Sequence, residues 1–402
     1  MKHQIKLIVV ATAAALTASH AMALEVYNDK GWKLDISGSV NAFYTSTKAD
    51  NKGTSVSVEN GLLPGYLNVS ASTQQKGWDI KGVIGYWPGI NSNGGGVAGV
   101  GKSTPDVRTN YLTFGKADVG TFKFGRDIGL FQSNAILNDM TLIGVGGGSG
   151  SARNINTTLG GIGAGYIYAE FQPQITYTTP SKNGFSLSVG VFDNKNTSST
   201  NATNGTGASP GFQALVEYAF KGDVSGKVWG GLISQRFSDR TTAYAFDANH
   251  ALTGTPKDDT ASGGELGVVA NVGAFGMMAE AYNGKGLGSG VLFSDGFDGT
   301  GKKRDSSGYL VQGTYKIGDL KLGVSYGESR LKATSADATY SAANPLNLAV
   351  TNGDVVRTAG STLGAYYSLT PNLTLVAELN QRKDKLTNVK TDAISTGAIL
   401  FF

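Results

Sequence analysis

The sequence predicts an all-β chain that closes into a single antiparallel transmembrane barrel of about sixteen strands. Three observations predict it. Apolar and polar residues alternate in blocks long enough to cross a bilayer, which takes roughly 9–11 tilted residues, whereas strands of soluble domains average about 5–6. The connections between blocks switch regularly between very short turns and long polar loops, the asymmetry of a membrane barrel. Charged residues make up only 16% of the chain, while Gly is 58 of 402 and Tyr and Phe are 17 each; a soluble protein typically carries about 25% charge. Large barrels reach this length as one domain.

Residues 1–23 read as a secretory signal. Lys2 and Lys6 form a basic start, Leu7–Leu16 an apolar core, and Ala21-Met22-Ala23 a small-x-small cleavage pattern, so the barrel is expected to occupy 24–402. Removing Lys2 and Lys6 leaves 32 basic against 30 acidic residues, which is no nucleic-acid footprint. No later run is apolar enough for a membrane helix.

The first block is the cleanest. Trp32, Leu34, Ile36, Gly38, Val40, Ala42 and Tyr44 fall on one row and Lys33, Asp35, Ser37, Ser39 and Asn41 on the other. The pattern returns at Leu63–Ala71 and, after a tight turn at Gln75-Lys76-Gly77, at Trp78–Tyr86. A Gly-rich loop over Pro88–Pro105 leads to Leu112 and Phe114, then across a short turn to Phe122 and Phe124. Ile175–Thr179 and Phe185–Val191 form the next hairpin, and Phe212–Phe220 and Val224–Arg236 another, with the facing ambiguous at Val228-Trp229. Leu266–Val272 with Phe275–Ala281, Tyr309–Ile317 with Leu320–Tyr326, and Leu363–Leu379 complete the series. The final strand, about Asp392–Phe402, ends on Phe402. Polar loops are read at Asn194–Pro210, Ser238–Gly263, Asn283–Ser307 and Glu328–Val356. Aromatics at strand ends, including Trp32, Tyr44, Trp78, Tyr86, Tyr218, Tyr309, Tyr315 and Tyr326, match interfacial girdles.

One stretch breaks the alternation: Arg126–Glu170, too long for a turn and too apolar for a linker. A helical turn is expected at Asn134–Leu142, where Ile136, Leu137 and Met140 share a face. Its glycines, Gly144–Gly150 and Gly161–Gly165, lack the strand-to-helix setting of a phosphate cradle and suit close packing instead.

These residues resemble the Gram-negative general-diffusion porins, the trimeric porins of the proteobacterial outer membrane. The likeness rests on DISGSVNAFY, on the hairpin TNYLTFGKADVGTFKFGRD, on the later hairpin ITYTTPSKNGFSLSVGVF, and on the terminal Phe402. It implies a multi-pass barrel in the outer membrane, a homotrimer in contact with outer-membrane lipid and lipopolysaccharide, and a passive path for small hydrophilic solutes and ions. It implies delivery to the barrel-assembly machinery through Phe402, and no cofactor. It also implies that the third long loop, 127–170, folds inward and narrows the pore. Asp127 and Asp139 on that loop would then face Lys33, Lys81, Arg108, Lys123, Arg126 and Arg382 on the wall, with Arg153 on the loop in the same candidate set. The loop departs from the family form in its length and its Gly146-Gly147-Gly148 run, so a channel selective for a solute class such as small organic anions is the alternative; an adhesin or enzyme barrel is a third.

Catalytic and metal chemistry find little support. Cys is absent, which removes thiolate ligands and nucleophiles. His250 is the single histidine outside the signal and lacks catalytic spacing. Asp295 and Asp298 do not have the spacing of an EF-hand calcium loop.

Overall fold

The computed structural model describes residues 23–50, 52–90, 106–147, 157–194, 209–240, 257–298, 301–338 and 350–402. Residues 1–22, Arg153 and His250 lie outside them. Eighteen strands follow in order: β1 Leu24–Asp29, β2 Trp32–Ala49, β3 Thr54–Glu59, β4 Tyr66–Gln75, β5 Trp78–Tyr86, β6 Thr109–Lys116, β7 Gly120–Ile128, β8 Phe171–Thr178 and β9 Phe185–Phe192. Then come β10 Gly211–Phe220, β11 Val224–Arg240, β12 Lys257–Val272, β13 Phe275–Lys285, β14 Asp305–Ile317, β15 Leu320–Lys332, β16 Asp354–Ser368, β17 Leu373–Asp384 and β18 Lys390–Phe401.

They fill sixteen positions of a closed antiparallel barrel. Each strand from β4 to β18 pairs with the next, and β18 closes the ring on β2, from Thr391↔Ala49 to Phe401↔Ser39. Two positions are split: β3 and β4 pair with successive halves of one edge of β2, and β1 pairs with its lower half where β18 ends. Closure leaves no sheet edge with unpaired backbone groups in the hydrocarbon. The seam is tied by Gly38 and Phe402, which exchange backbone hydrogen bonds of 2.7 and 3.0 Å. The Phe402 ring lies where a Gly38 Cβ would stand.

The rows sort as the alternation predicts. Outward positions keep exposed apolar side chains such as Val40, Ile84, Leu232, Leu266, Leu363 and Ile394, and aromatics including Trp32, Tyr44, Tyr86, Phe275 and Tyr315 stand at their ends. Inward positions are polar or packed. Trp229 is turned inward over Gly267, which resolves the ambiguity at Val228-Trp229: only a residue without a Cβ fits beneath that ring. The tight turns carry left-handed pairs, Lys76-Gly77 and Asn183-Gly184, as two-residue hairpin turns require.

Three loop expectations change. β12 begins at Lys257, inside the stretch read as a loop to Gly263, and β15 and β16 extend to Lys332 and from Asp354. The segment read as the polar loop Asn283–Ser307 turns inward at its apolar residues. Leu287, Leu292, Phe293 and Phe297 are buried with Phe237, Tyr282, Phe131 and Ile167, because this burial outweighs the solvation of the few polar groups between them.

Candidate pore constriction

The chain leaves β7 at Ile128 and re-enters the wall at Phe171. Between them, none of the described residues 129–147 and 157–170 is exposed. The segment forms helix α1, Ser133–Asn138, and a 3₁₀ turn, Met140–Ile143, close to the helical turn expected from Ile136, Leu137 and Met140. Ala135, Ile136 and Leu142 pack with Leu62, Leu63, Leu215, Trp229, Met278 and Leu310. Since several of those side chains project from the inner face of the wall, the loop lies inside the barrel.

Its backbone is held by inward wall side chains. Gln213 Oε1 accepts from the N–H groups of Leu130 and Phe131, both at 2.8 Å. Gln132, in a left-handed conformation with φ 65°, donates its backbone N–H to Glu265 Oε1 at 3.0 Å and its amide to Glu265 Oε2 at 2.7 Å. Gln312 accepts from Met140 N–H at 2.9 Å and donates to the Asn138 carbonyl. Glu378 Oε2 accepts from Val145 and Gly146 N–H at 2.9 and 2.8 Å, and Glu378 Oε1 accepts from the Tyr366 hydroxyl at 2.7 Å. An irregular segment inside a barrel has backbone groups that no sheet can satisfy; these carboxylates and amides take that part.

Asp139 holds the two limbs of the loop together. Its Oδ1 accepts from Thr141 N–H and Oγ1, at 2.9 and 2.8 Å, and its Oδ2 from Gly161 N–H and Tyr166 Oη, at 3.0 and 2.7 Å. Burial, and then the adjacent Asp139 charge, push the Tyr166 hydroxyl well above its usual range, so it remains a donor. The limbs meet at Gly146, where φ is +62° and a Cβ would stand 2.4 Å from Gly160 Cα. Close packing is thus the use of Gly146 and Gly160.

The other candidates separate. Lys123 and Asp127 pair with each other on the inner face of β7. Lys81 is exposed on the inward row of β5, beside Val83. Arg382 donates to the loop carbonyls of Gly147 and Ile162, at 3.3 and 3.1 Å. Lys33 sits toward the short-turn rim with Asp35 at 2.8 Å and Glu25 at 3.4 Å. Two expectations need correction. Arg126 pairs with Asn110 and Pro173 in the row of Phe124, Leu112 and Ile175; that row faces outward, so Arg126 leaves the candidate site. Arg108 is paired with Asp106 at 2.7 Å and packed on the Trp87 and Phe171 rings, with only 13% of its side chain exposed. Asp139, placed inside the loop, lines a small cavity together with Arg382 of the wall. The sequence places Glu265 and Glu378 on inward rows without giving them an anchoring role, and it gives Gln132, Gln213 and Gln312 no role; the one signal for the two glutamates is a carboxylate on an inward row.

A second layer covers the loop from the long-loop rim. Tyr168 N–H donates to the Gly290 carbonyl at 2.8 Å. Segment 286–298 is clasped in turn by the next loop: Arg304 grips Asp337 through Nε at 2.9 Å and Nη2 at 2.6 Å, and its Nη1 donates to the Asp295 carbonyl. Burial raises the Asp337 pKa, but the Arg304 and Thr334 hydrogen bonds outweigh it and hold the carboxyl below its ordinary 3.8. A depressed carboxylate contributes stability above its unfolded pKa and loses it as pH falls through the folded one. The clasp is therefore expected to persist at neutral pH and to release only below about pH 4. Arg304→Ala, which leaves a buried carboxylate unpaired, should cost roughly 3–5 kcal/mol locally and raise amide exchange over 286–298 at pH 7. Unchanged exchange there would contradict the clasp.

A family model described as a Gram-negative porin matches residues 10–387. Among solved structures, the outer membrane channel DcaP of Acinetobacter baumannii aligns with 94% of this chain and 100% of its own, at 16% identity and a TM-score of 0.66. OmpF of Salmonella typhi, in complex with daunomycin, aligns over 94% and 100% at 15% identity and 0.61. The trimer form of OmpT of Vibrio cholerae aligns over 93% and 100% at 14% identity and 0.58. At these identities the structural likeness concerns the fold. A search of curated proteins finds no significant match.

Proposed function

The chain belongs to the Gram-negative porin family, and on that premise we propose that loop 127–170 sets the size limit of its channel. The protein is an outer-membrane β-barrel through which small solutes diffuse passively, and family and fold are those of non-enzymatic channels. The observation that carries the proposal is that no described residue of 129–170 is exposed and that inward side chains of β10, β12, β14 and β17 hold its backbone. A segment so held cannot swing out with solute, so it acts as a fixed narrowing. The remaining passage, in this reading, follows the wall of β5 to β7, where Lys81 and the Lys123–Asp127 pair stand. Arg382 acts on the passage indirectly, by holding the loop.

The same reading takes residues 1–23 as a cleaved signal and 24–402 as the barrel, the functional unit as three copies, and Phe402 as the assembly signal. The trimer form of the Vibrio cholerae neighbour supports the threefold state. Lys81 supplies the test. No carboxylate pairs with it among the described residues, so Lys81→Glu reverses a wall charge with little cost to packing. Charged rings bias ion flow through a channel; the reversal potential in a salt gradient should move toward cations with conductance nearly unchanged. Arg108→Ala should leave that potential where it is. A Lys81→Glu channel with wild-type reversal potential would remove β5 from the passage.

A further inference from the structure

The inward rows of β14 and β15 end, at the short-turn rim, in two lysines that stand opposite each other. Gln312, which holds the loop at Met140, marks the inward row of β14. The unbroken register carries that row through Thr314 to Lys316. On β15, a Cβ at Gly323 would stand 2.9 Å from Met140 Sδ, so Gly323 faces the lumen and Lys321 shares its row. Lys316 and Lys321 are direct partners in the ladder. Side chains so placed start about 5 Å apart, and like charges there destabilise the strand pair.

The protein supplies no counter-charge at this point. Lys33, Lys123 and Lys227, on other inward rows, each hold a carboxylate. Among the described residues, neither Lys316 nor Lys321 forms a salt bridge. Lys321 lies over the Tyr366 ring, with Nζ 4.8 Å from the ring centroid; a ring face attracts a cation without neutralising it. Glu378 is within electrostatic reach of Lys321, but its oxygens are taken by Val145, Gly146 and Tyr366. Lys316 is exposed. An anion that answers both lysines carries two charges and is small enough to stand between them. Ammonium groups are compact point charges with rotatable donors, so a tetrahedral oxyanion suits them and no planar fork is needed.

We propose that Lys316 and Lys321 form a holding site for a small divalent oxyanion at the inner mouth of the channel, one ammonium group on either side of it. The inference rests on the channel reading, in which the lumen is wet and the short turns face the periplasm. The experiment uses the folded, detergent-solubilised protein at low ionic strength and titration calorimetry. The probes are sulfate and methyl sulfate, which share a tetrahedral shape and differ in charge. Wild type should bind sulfate at least about ten-fold more tightly than methyl sulfate, and Lys316→Gln should bring the two affinities together. Lys321→Gln carries the same expectation; should it fail to fold for want of its packing on Tyr366, the exposed Lys316→Gln still decides. Lys182→Gln, which removes one charge from another short turn, should keep the wild-type preference. Equal affinity of wild type for the two anions, or an undiminished preference in folded Lys316→Gln, overturns the proposal. So does an equal loss in Lys182→Gln, which would mean that net charge alone attracts the anion. Binding in solution does not depend on where the size limit lies, so failure here is distinguishable from failure of loop 127–170 as the constriction.

Discussion

Replacing Asp139 with alanine should part the two limbs of the inward loop and widen the channel. The side chain is 5% exposed and accepts four hydrogen bonds. Two come from the limb that carries the 3₁₀ turn, and two from Gly161 and Tyr166 on the returning limb. Each buried donor left without a partner costs about 1–3 kcal/mol, so the loss reaches several kcal/mol even after the loop relaxes. The barrel hydrogen bonds are untouched. The expected signature is therefore local: higher single-channel conductance with frequent flicker, faster amide exchange at 139–147 and 157–166, and a barrel that keeps its resistance to heat in detergent. Asp139→Asn retains one carbonyl acceptor and should show a milder form of the same change. Wild-type conductance and exchange in Asp139→Ala would mean that apolar packing alone holds the limbs.

Glu378→Gln should free the loop at its far anchor. One carboxylate oxygen receives both Val145 and Gly146 N–H, and the other receives the Tyr366 hydroxyl. An amide has one acceptor oxygen and presents N–H₂ in place of the other. Either the two loop N–H groups then face a donor, or the amide N–H₂ donates to the Tyr366 oxygen and the tyrosine O–H loses its acceptor. Leaving such buried groups unmatched costs roughly 1–3 kcal/mol each, in a residue 2% exposed. Amide exchange at 144–147 should rise while α1 stays protected, since Gln213 and Glu265 still hold the first limb. Equal exchange along the whole loop would show instead that the loop moves as one body.

The wall was legible because a lipid-facing strand leaves a period of two that nothing else produces over such length. The inward loop was legible as a break in that period, and its helical turn through Ile136, Leu137 and Met140. The anchors were not. Gln132, Gln213 and Glu378 look like any polar residues of a water-filled lumen, and their partners lie far away in the chain. Arg126 was misread for a reason visible in hindsight. Its row neighbours Phe122 and Phe124 point to lipid, but a charge was assumed to seek the lumen, whereas at the rim it can meet headgroups and water. Segment 286–298 was missed because Leu287, Leu292, Phe293 and Phe297 follow no period; irregular backbone buries them through left-handed residues at Phe293 and Asp295.

The most direct test of the loop as the size limit is polymer exclusion in planar bilayers, with polyethylene glycols of graded size added to wild type and to Asp139→Ala. If the loop is the narrowest point, the variant admits larger polymers than wild type while the heat resistance of the barrel is retained. An identical cut-off in a variant whose loop amides exchange freely would contradict it and move the size limit elsewhere in the barrel.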